Sequence, residues 1–383
     1  MIAGDQLTIL LALKDRVPFT RRWLAYAASA RLPCRVLIAD GGADESVAGI
    51  ASDARAGGVD LEYLRYPYDD SYARYYTKLA DALSRVTTPF VVMADNDDFF
   101  IPDGLQSAVA FLQAHPGFVA CGGQCAVFWM TGKDQAGATY SDRVEWKCSS
   151  QYSTDTAETA ASRLRERCLG ANDVFYAVHR TALMRSNFAA VRDCNPRDLF
   201  LVEQLVMFLT AIAGKTRQLD TLYIARQQGS PDRSGGEHQR RHGNWFERML
   251  APTWSEDFAR FADCATEALA CADHLDDAEA RRVVIDAYKA SVAPSLLSDL
   301  VEEPTVSWSM PIVLQVVRRL VNMPRDSWQR RLAQAAYRRA HWLSHDFVRG
   351  TEIKTGRARD VAGEFAPVKT FLTADQSSRT PGT

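Results

Sequence analysis

The sequence predicts an α/β fold in which helices flank a sheet, followed by an all-α C-terminal region. Three observations predict it. Over roughly the first hundred residues short apolar runs alternate with helical patterns, as βαβ units do. Two of those runs stop at acidic or glycine-containing turns, Asp40-Gly41-Gly42 and Asp95 to Asp98, so their ends line one edge of the sheet. Beyond Trp245 the apolar spacing is helical almost throughout.

The elements follow in order. Leu7 to Leu13 is an apolar run and reads as the first strand, Phe19 to Ser29 as a helix, and Cys34 to Ile38 as the second strand. Leu61 to Arg65 is the third strand and leads into YPYDDSYARYYTKLADALSRV, whose latter half is helical. A buried strand then ends at Asp95. Residues 117–130 and 172–185 read as further strands or strand–helix units around an irregular polar insert. Leu199 to Ala213 has helical spacing closed by Gly214 as a C-terminal cap, and Tyr223 to Ala225 supplies one more strand. Residues 1–228 therefore read as one α/β domain. Residues 229–244, GSPDRSGGEHQRRHGN, form a flexible basic loop or linker. Residues 245–373 form a helical region and 374–383 a disordered tail.

Length and charge narrow the function classes. A chain of 383 residues buries a large core in about two domains, and a formal net charge of -2 argues against nucleic acid as the main partner. The eight cysteines are scattered without CxxC pairs, which fits reduced thiols. The opening MIAGDQLTILLALKD lacks the basic region and cleavage site of a signal peptide, and no segment approaches the roughly 20 apolar residues of a membrane span. A cytoplasmic protein is expected.

The chemistry concentrates in PFVVMADNDDFFIPDGL, where a strand ends at Asp95, Asn96, Asp97 and Asp98. Like charges clustered at a strand end ask for a cation or several donors. A hard divalent ion, Mn2+ or Mg2+, meets that need with one or two carboxylates and substrate phosphates, so a nucleoside diphosphate is the expected ligand. A calcium EF-hand starting at Asp95 is excluded, because its glycine and glutamate positions hold Phe100 and Gln106. The alternative is a solvated acidic turn before a helix that starts near Pro102 and Asp103.

Over about residues 7–228 these features resemble the family 2 glycosyltransferases, whose nucleotide-sugar-binding GT-A fold is a mixed sheet flanked by helices. TILLALKDR resembles the family's first strand and its Pro-x-x-Asn-Arg pattern, with Ala12 for the proline and Asp15 for the asparagine. LIADGG is similar to the second-strand turn that contacts the nucleoside, and keeps Asp40. VVMADNDDFFIPDGL parallels the strand, DxD motif and proline–aspartate turn. The resemblance implies Asp97 as metal ligand, with Asp95 and Asp98 near the ribose, phosphates or metal shell. The family also places an acidic pair about a helix before a glycine, the second acid being the catalytic base. Counting back from Gly214 puts that base at Glu203, with Val202 where the first acid normally stands.

The implied reaction moves a sugar from a nucleoside diphosphate donor, a UDP-sugar as first choice, to a hydroxyl of a glycan or lipid-linked acceptor. A single base opposite the leaving group implies inversion. Arg16, next to Asp15 in the first-strand pattern, joins the donor residues. Lys78 and Arg226 are candidates for donor phosphate, against a plain surface role for Arg226. Tyr75 and Tyr76 either bond the donor or pack on the sheet. His238 is the candidate extra metal ligand, with His242 beside it in the same loop, and Trp129 and Trp146 are candidates for acceptor stacking, against burial in the core. His341 and His345 have zinc-pair spacing without a third ligand. The arginine-rich stretch from Arg318 to Arg349 fits either a helix packed on the domain with a solvated basic face or an interfacial helix at anionic lipid, which leaves peripheral membrane contact open. Two other functions stay in view. A nucleotidyltransferase lacks its basic glycine-rich loop in LALKDRVPF, whereas a non-catalytic sugar- or nucleotide-binding assembly protein is favoured by Val202, Gln204 and the altered first-strand motif.

Overall fold

The computed structural model describes residues 5–131, 139–149, 154–169, 174–230, 234–302 and 361–373. Its centre is a nine-stranded mixed sheet. Strands β1 (Leu7–Leu13), β2 (Arg35–Asp40), β3 (Leu61–Arg65) and β4 (Phe90–Ala94) are parallel in the order β3-β2-β1-β4. All five residues of β4 are buried, and its run FVVMA explains why: a strand covered on both faces carries apolar residues without alternation. The parallel register brings the chain after Leu13, Asp40 and Ala94 to one edge, where the acidic turn stands.

The sheet continues through antiparallel β8 (Val178–Arg180) to β6 (Phe118–Met130), β9 (Lys215–Gln227) and the short β5 (Asp98–Phe100), while β7 (Val144–Ser149) pairs with β6. Residues 98–100, read from sequence as part of a turn, are thus a strand paired to β9 with Asp98 opposite Arg226. The last expected strand is longer than Tyr223 to Ala225, because β9 pairs with β6 along most of its length.

Helices α1 (Val17–Ala30), α2 (Ser46–Ala56), α3 (Tyr72–Arg85), α4 (Pro102–Ala114), α5 (Ala160–Leu169), α6 (Thr181–Cys194) and α7 (Leu199–Ala213) follow. Helix α7 has the expected bounds, and Asp198 caps it by accepting from the Phe200 amide at 2.9 Å. Gly214 is the C-terminal cap as expected, its amide donating to the Thr210 carbonyl at 3.3 Å. Its φ is 175°, an extended value, and glycine is needed there because a Cβ would lie 2.5 Å from the Val119 side chain.

The segment expected as a basic loop contains helix α8 (Ser234–His242), and α9 (Trp245–Met249), α10 (Trp254–Asp273), α11 (Asp277–Glu302) and α12 (Val361–Thr373) complete the described chain. One compact unit comprises residues 1–241, 251–291 and 361–383, so helical segments beyond residue 244 belong with the sheet. A second unit comprises residues 242–250 and 292–360; within it, Asn244 and Glu247 form a capping box at the start of α9. His341, His345, the arginine-rich stretch and the tail from residue 374 lie outside the described residues. Among those described, no helix is long and apolar enough to cross a membrane.

Candidate active site

Asp95, Asp97 and Asp98 each direct one carboxylate oxygen to within 4.8 Å of the others. Each carboxylate also has a protein partner. The Tyr176 hydroxyl donates to Asp95 Oδ2 at 2.5 Å, and Arg16 Nη2 and the Ser230 hydroxyl donate to Asp97 Oδ2 at 3.1 and 2.5 Å. Arg226 Nε donates to Asp98 Oδ2 at 2.7 Å while its guanidinium lies 4.3 Å from the Tyr176 ring centroid. The Gln227 amide donates to Asp98 Oδ1 at 3.1 Å. Burial, with Arg226 opposing it, pushes the Asp98 carboxyl up to about 7. Burial and the neighbouring Asp97 raise Asp95 as well. Three hard oxygen donors whose mutual repulsion a cation relieves fit a divalent ion such as Mn2+ or Mg2+.

The turn is tied to the start of α1. Asn96 Nδ2 donates to Thr20 Oγ1 at 3.1 Å and to the Arg16 carbonyl at 3.4 Å, and Arg22 Nη2 donates to the Asp97 carbonyl at 3.4 Å. Arg22 is 1% exposed, and burial lowers it to about 10. Asp15 and Arg16 both have φ of 58°, in the left-handed region that costs non-glycine residues roughly 1–2 kcal/mol each. The Asp15 carboxylate offsets part of that by accepting from the Ala43 amide at 2.8 Å. Beside this strained corner is a cleft of about 560 Å³ lined by Asp15, Arg16, Glu237, Arg240 and Arg241. Three guanidinium groups at its wall favour an anion.

The sequence of residues 12–190 matches the model of a family described as glycosyl transferase family 2. Over those residues, just under half of the chain, the sequence is similar to the family 2 glycosyltransferases. The matched residues hold the end of β1, the acidic turn and Tyr176. No curated protein matches the chain in sequence. Among solved structures, TarS of S. aureus is similar at 15% identity over 82% of this chain and 48% of its own, with a TM-score of 0.48. Residues 1–349 of TarS in complex with UDP-GlcNAc give 15% identity, 82% and 79% coverage and a TM-score of 0.48. The mannosyltransferase PcManGT of Pyrobaculum calidifontis, in complex with GDP-Man and Mn2+, gives 13%, 96%, 87% and 0.42. The chain thus spans about half the length of full TarS.

The fold gathers some expected residues and separates others. Asp15, Arg16, Asp95, Asp97, Asp98 and Arg226 stand at the acidic turn or the cleft beside it. Asp40 is 1% exposed and accepts from the Gly42 amide, the Tyr63 hydroxyl and Arg65 at 2.8, 2.7 and 2.7 Å, so it shapes the β2 turn. Glu203 is exposed on α7, and its charge helps to raise both Tyr75 and Tyr176 behind larger effects of burial and Asp95. Glu203 therefore lies on the side of the site where Tyr176 meets Asp95.

Three expectations are corrected. Lys78 does not reach toward a ligand: it is buried, ion-paired to Asp69, and donates to the Leu13 carbonyl at 2.8 Å. Burial lowers Lys78 and raises Asp69, and their pairing offsets both shifts. His238 does not join the acidic group; its ring nitrogens bond Tyr72 at 2.8 Å and Asp198 at 3.2 Å, which ties α8 to the start of α7. Trp146 is a packing residue, 4.6 Å from the Phe365 ring, whereas Trp129 is half-buried with Lys147 Nζ 5.7 Å from its centroid. Tyr76 is fully buried, and its hydroxyl donates to the Pro196 carbonyl at 3.0 Å. His242 is also absent from the acidic group.

Tyr176, Ser230, Arg240 and Arg241 were not legible as site residues. Tyr176 enters through the antiparallel β8 segment and Ser230 through the chain after β9. Only the basic character of HQRRH signalled the two arginines.

Proposed function

We propose that this chain transfers a sugar from a nucleoside diphosphate donor to a hydroxyl of a glycan or glycoconjugate, with inversion at the anomeric carbon. The observation that carries this reading is the Asp95–Asp97–Asp98 group at the end of β4, beside an arginine-lined cleft, in a chain similar to the family 2 glycosyltransferases over residues 12–190. Asp97, with Asp95 and Asp98, would hold Mn2+ or Mg2+. When bound, that ion supplies Lewis-acid neutralisation of the departing diphosphate.

The protein's own residues do the rest. Arg16, Arg240 and Arg241 bind the donor phosphates as charge-assisted donors, and Asp15 orients Arg16 by fixing the left-handed corner. Asp40 holds the turn against which the nucleoside sits. Arg226 orients Asp98 and opposes the rise that burial imposes on its carboxyl. Glu203 accepts the proton of the attacking hydroxyl, needing an approach of about 2.6–3.2 Å in the productive complex, and Trp129 offers the acceptor a stacking face. A base on α7 opposite the leaving diphosphate gives inversion.

The donor in this reading is a UDP-sugar, and the reaction is placed in the cytoplasm, with peripheral membrane contact through the arginine-rich stretch when the acceptor is lipid-linked. The test is turnover of a panel of UDP-sugars, with the anomeric configuration of the product followed by NMR. An inverted product lost in Glu203→Gln supports the reading, and a retained configuration contradicts it.

A further inference from the structure

Helix α12 is remote in sequence from the acidic turn, and it packs directly behind it. Its apolar face, Phe365, Val368, Phe371 and Leu372, is buried at helical spacing. The Phe371 ring lies 5.3 Å from Tyr26 and 6.0 Å from Phe99, and Tyr26 and Phe99 are 4.7 Å apart, so three rings close on one another. Phe99 is the neighbour of Asp98 on β5. The Tyr26 hydroxyl also donates to the carbonyl of Phe100 at 2.8 Å, fixing the same strand from the same side.

The flank of Phe99 is taken by Arg22, whose guanidinium is 4.9 Å from the ring centroid and donates to the Asp97 carbonyl at 3.4 Å. A shift of Phe99 therefore moves Asp98 along the chain and Asp97 through Arg22. Two polar ties fix α12 itself: the Leu222 amide on β9 donates to Glu364 Oε2 at 2.8 Å, and the Ser141 amide donates to the Leu372 carbonyl at 3.2 Å. Strand β9 also carries Arg226, so α12 grips both strands that present the Asp98–Arg226 pair.

We propose that Phe371 is a positioning residue for the metal and donor site: α12 sets the place of Phe99, and through it the places of Asp97 and Asp98. The metal consequence rests on the donor-site reading above. The positional consequence does not. Loss of a group that orients metal ligands costs on the order of 10- to 100-fold in metal affinity.

The test uses the full chain with Phe371→Ala, the conservative Phe371→Leu, and Leu269→Ala in α10 as a buried cavity control. Mn2+ affinity is read from the EPR signal of free ion, strand order from hydrogen exchange at the Phe99 and Phe100 amides, and stability from the melting temperature. Phe371→Ala is expected to weaken Mn2+ binding on the order of 10- to 100-fold and to speed exchange at both amides. Phe371→Leu is expected to recover most of each. Leu269→Ala is expected to lower the melting temperature comparably and leave both unchanged. Wild-type exchange and affinity in Phe371→Ala, or an equal loss in Leu269→Ala, overturns the proposal. If the wild type takes no Mn2+ the donor-site reading fails, and the exchange comparison still decides whether α12 positions the strand; if Phe371→Ala does not fold, Phe371→Leu against Leu269→Ala decides it.

Discussion

Replacing Arg226 by Met removes the guanidinium from Asp98 while keeping an apolar stem against Tyr176. The lost pair is well buried, its side chains 13% and 4% exposed. Removing one partner of such a pair costs about 3–5 kcal/mol when the other must stay charged. Asp98 can escape part of that by taking a proton, and this makes the cost depend on pH. The folded carboxyl is pushed up to about 7 from an ordinary 3.8, so the native state holds the extra proton and this group's contribution to stability falls as pH rises between those values. Without Arg226 the folded value rises further and the fall continues past neutrality. A tenfold change in proton affinity is worth about 1.4 kcal/mol, so the deficit of Arg226→Met is expected to be about 1–1.5 kcal/mol larger at about pH 8 than at about pH 6. Urea denaturation followed by tryptophan fluorescence measures it. An equal deficit at both values, or one below about 1 kcal/mol at the higher pH, refutes the claim that Arg226 restrains a buried, strained carboxylate.

Other consequences follow from the same geometry. Arg240→Ala with Arg241→Ala should lose about 1.5–3 kcal/mol of UDP affinity per guanidinium, with uridine binding unchanged, as calorimetry would show. Glu203→Gln should lower turnover by about 10²- to 10⁴-fold with donor affinity intact; unchanged turnover would remove Glu203 as the base. His179 is buried and its imidazole is lowered to about 4 from 6.5, so its contribution to stability is fully present above 6.5 and is lost as pH falls toward 4. That loss amounts to about 3 kcal/mol, and in His179→Asn the urea midpoint should fall less steeply across that window.

The elements that make local use of apolar residues were legible: β1, β3 and α7 have the bounds that their spacing implies, and the acidic turn follows β4 as its composition demands. What escaped depends on distant partners. Strand β5 is three residues whose pairing is made by β9, more than a hundred positions downstream, and α12 is held by rings of α1 and β5. Lys78 was misplaced because Tyr76, Leu79 and Leu83 mark a face of α3 that lies roughly a third of a turn away from it, and its burial is decided by Asp69 and the Leu13 carbonyl from other elements. His238 sits in a polar, glycine-rich context that suggests a free loop, and the Asp198 and Tyr72 that occupy its nitrogens come from two other elements. Charge pairing across elements, rather than local pattern, decides which carboxylates and cations of this site face one another.

In the proposed function the acidic group is a metal-dependent nucleotide site. Calorimetric titration of UDP, GDP and CMP, with and without Mn2+, on the wild type and on Asp97→Ala tests it most directly. The expected result is tight binding of one nucleoside diphosphate that requires Mn2+ and disappears in Asp97→Ala while the melting temperature of the variant stays near that of the wild type. Absence of binding under every condition, or binding indifferent to Mn2+ and to Asp97→Ala, would contradict it and leave the carboxylates as a turn held by Arg16, Ser230, Arg226 and Tyr176.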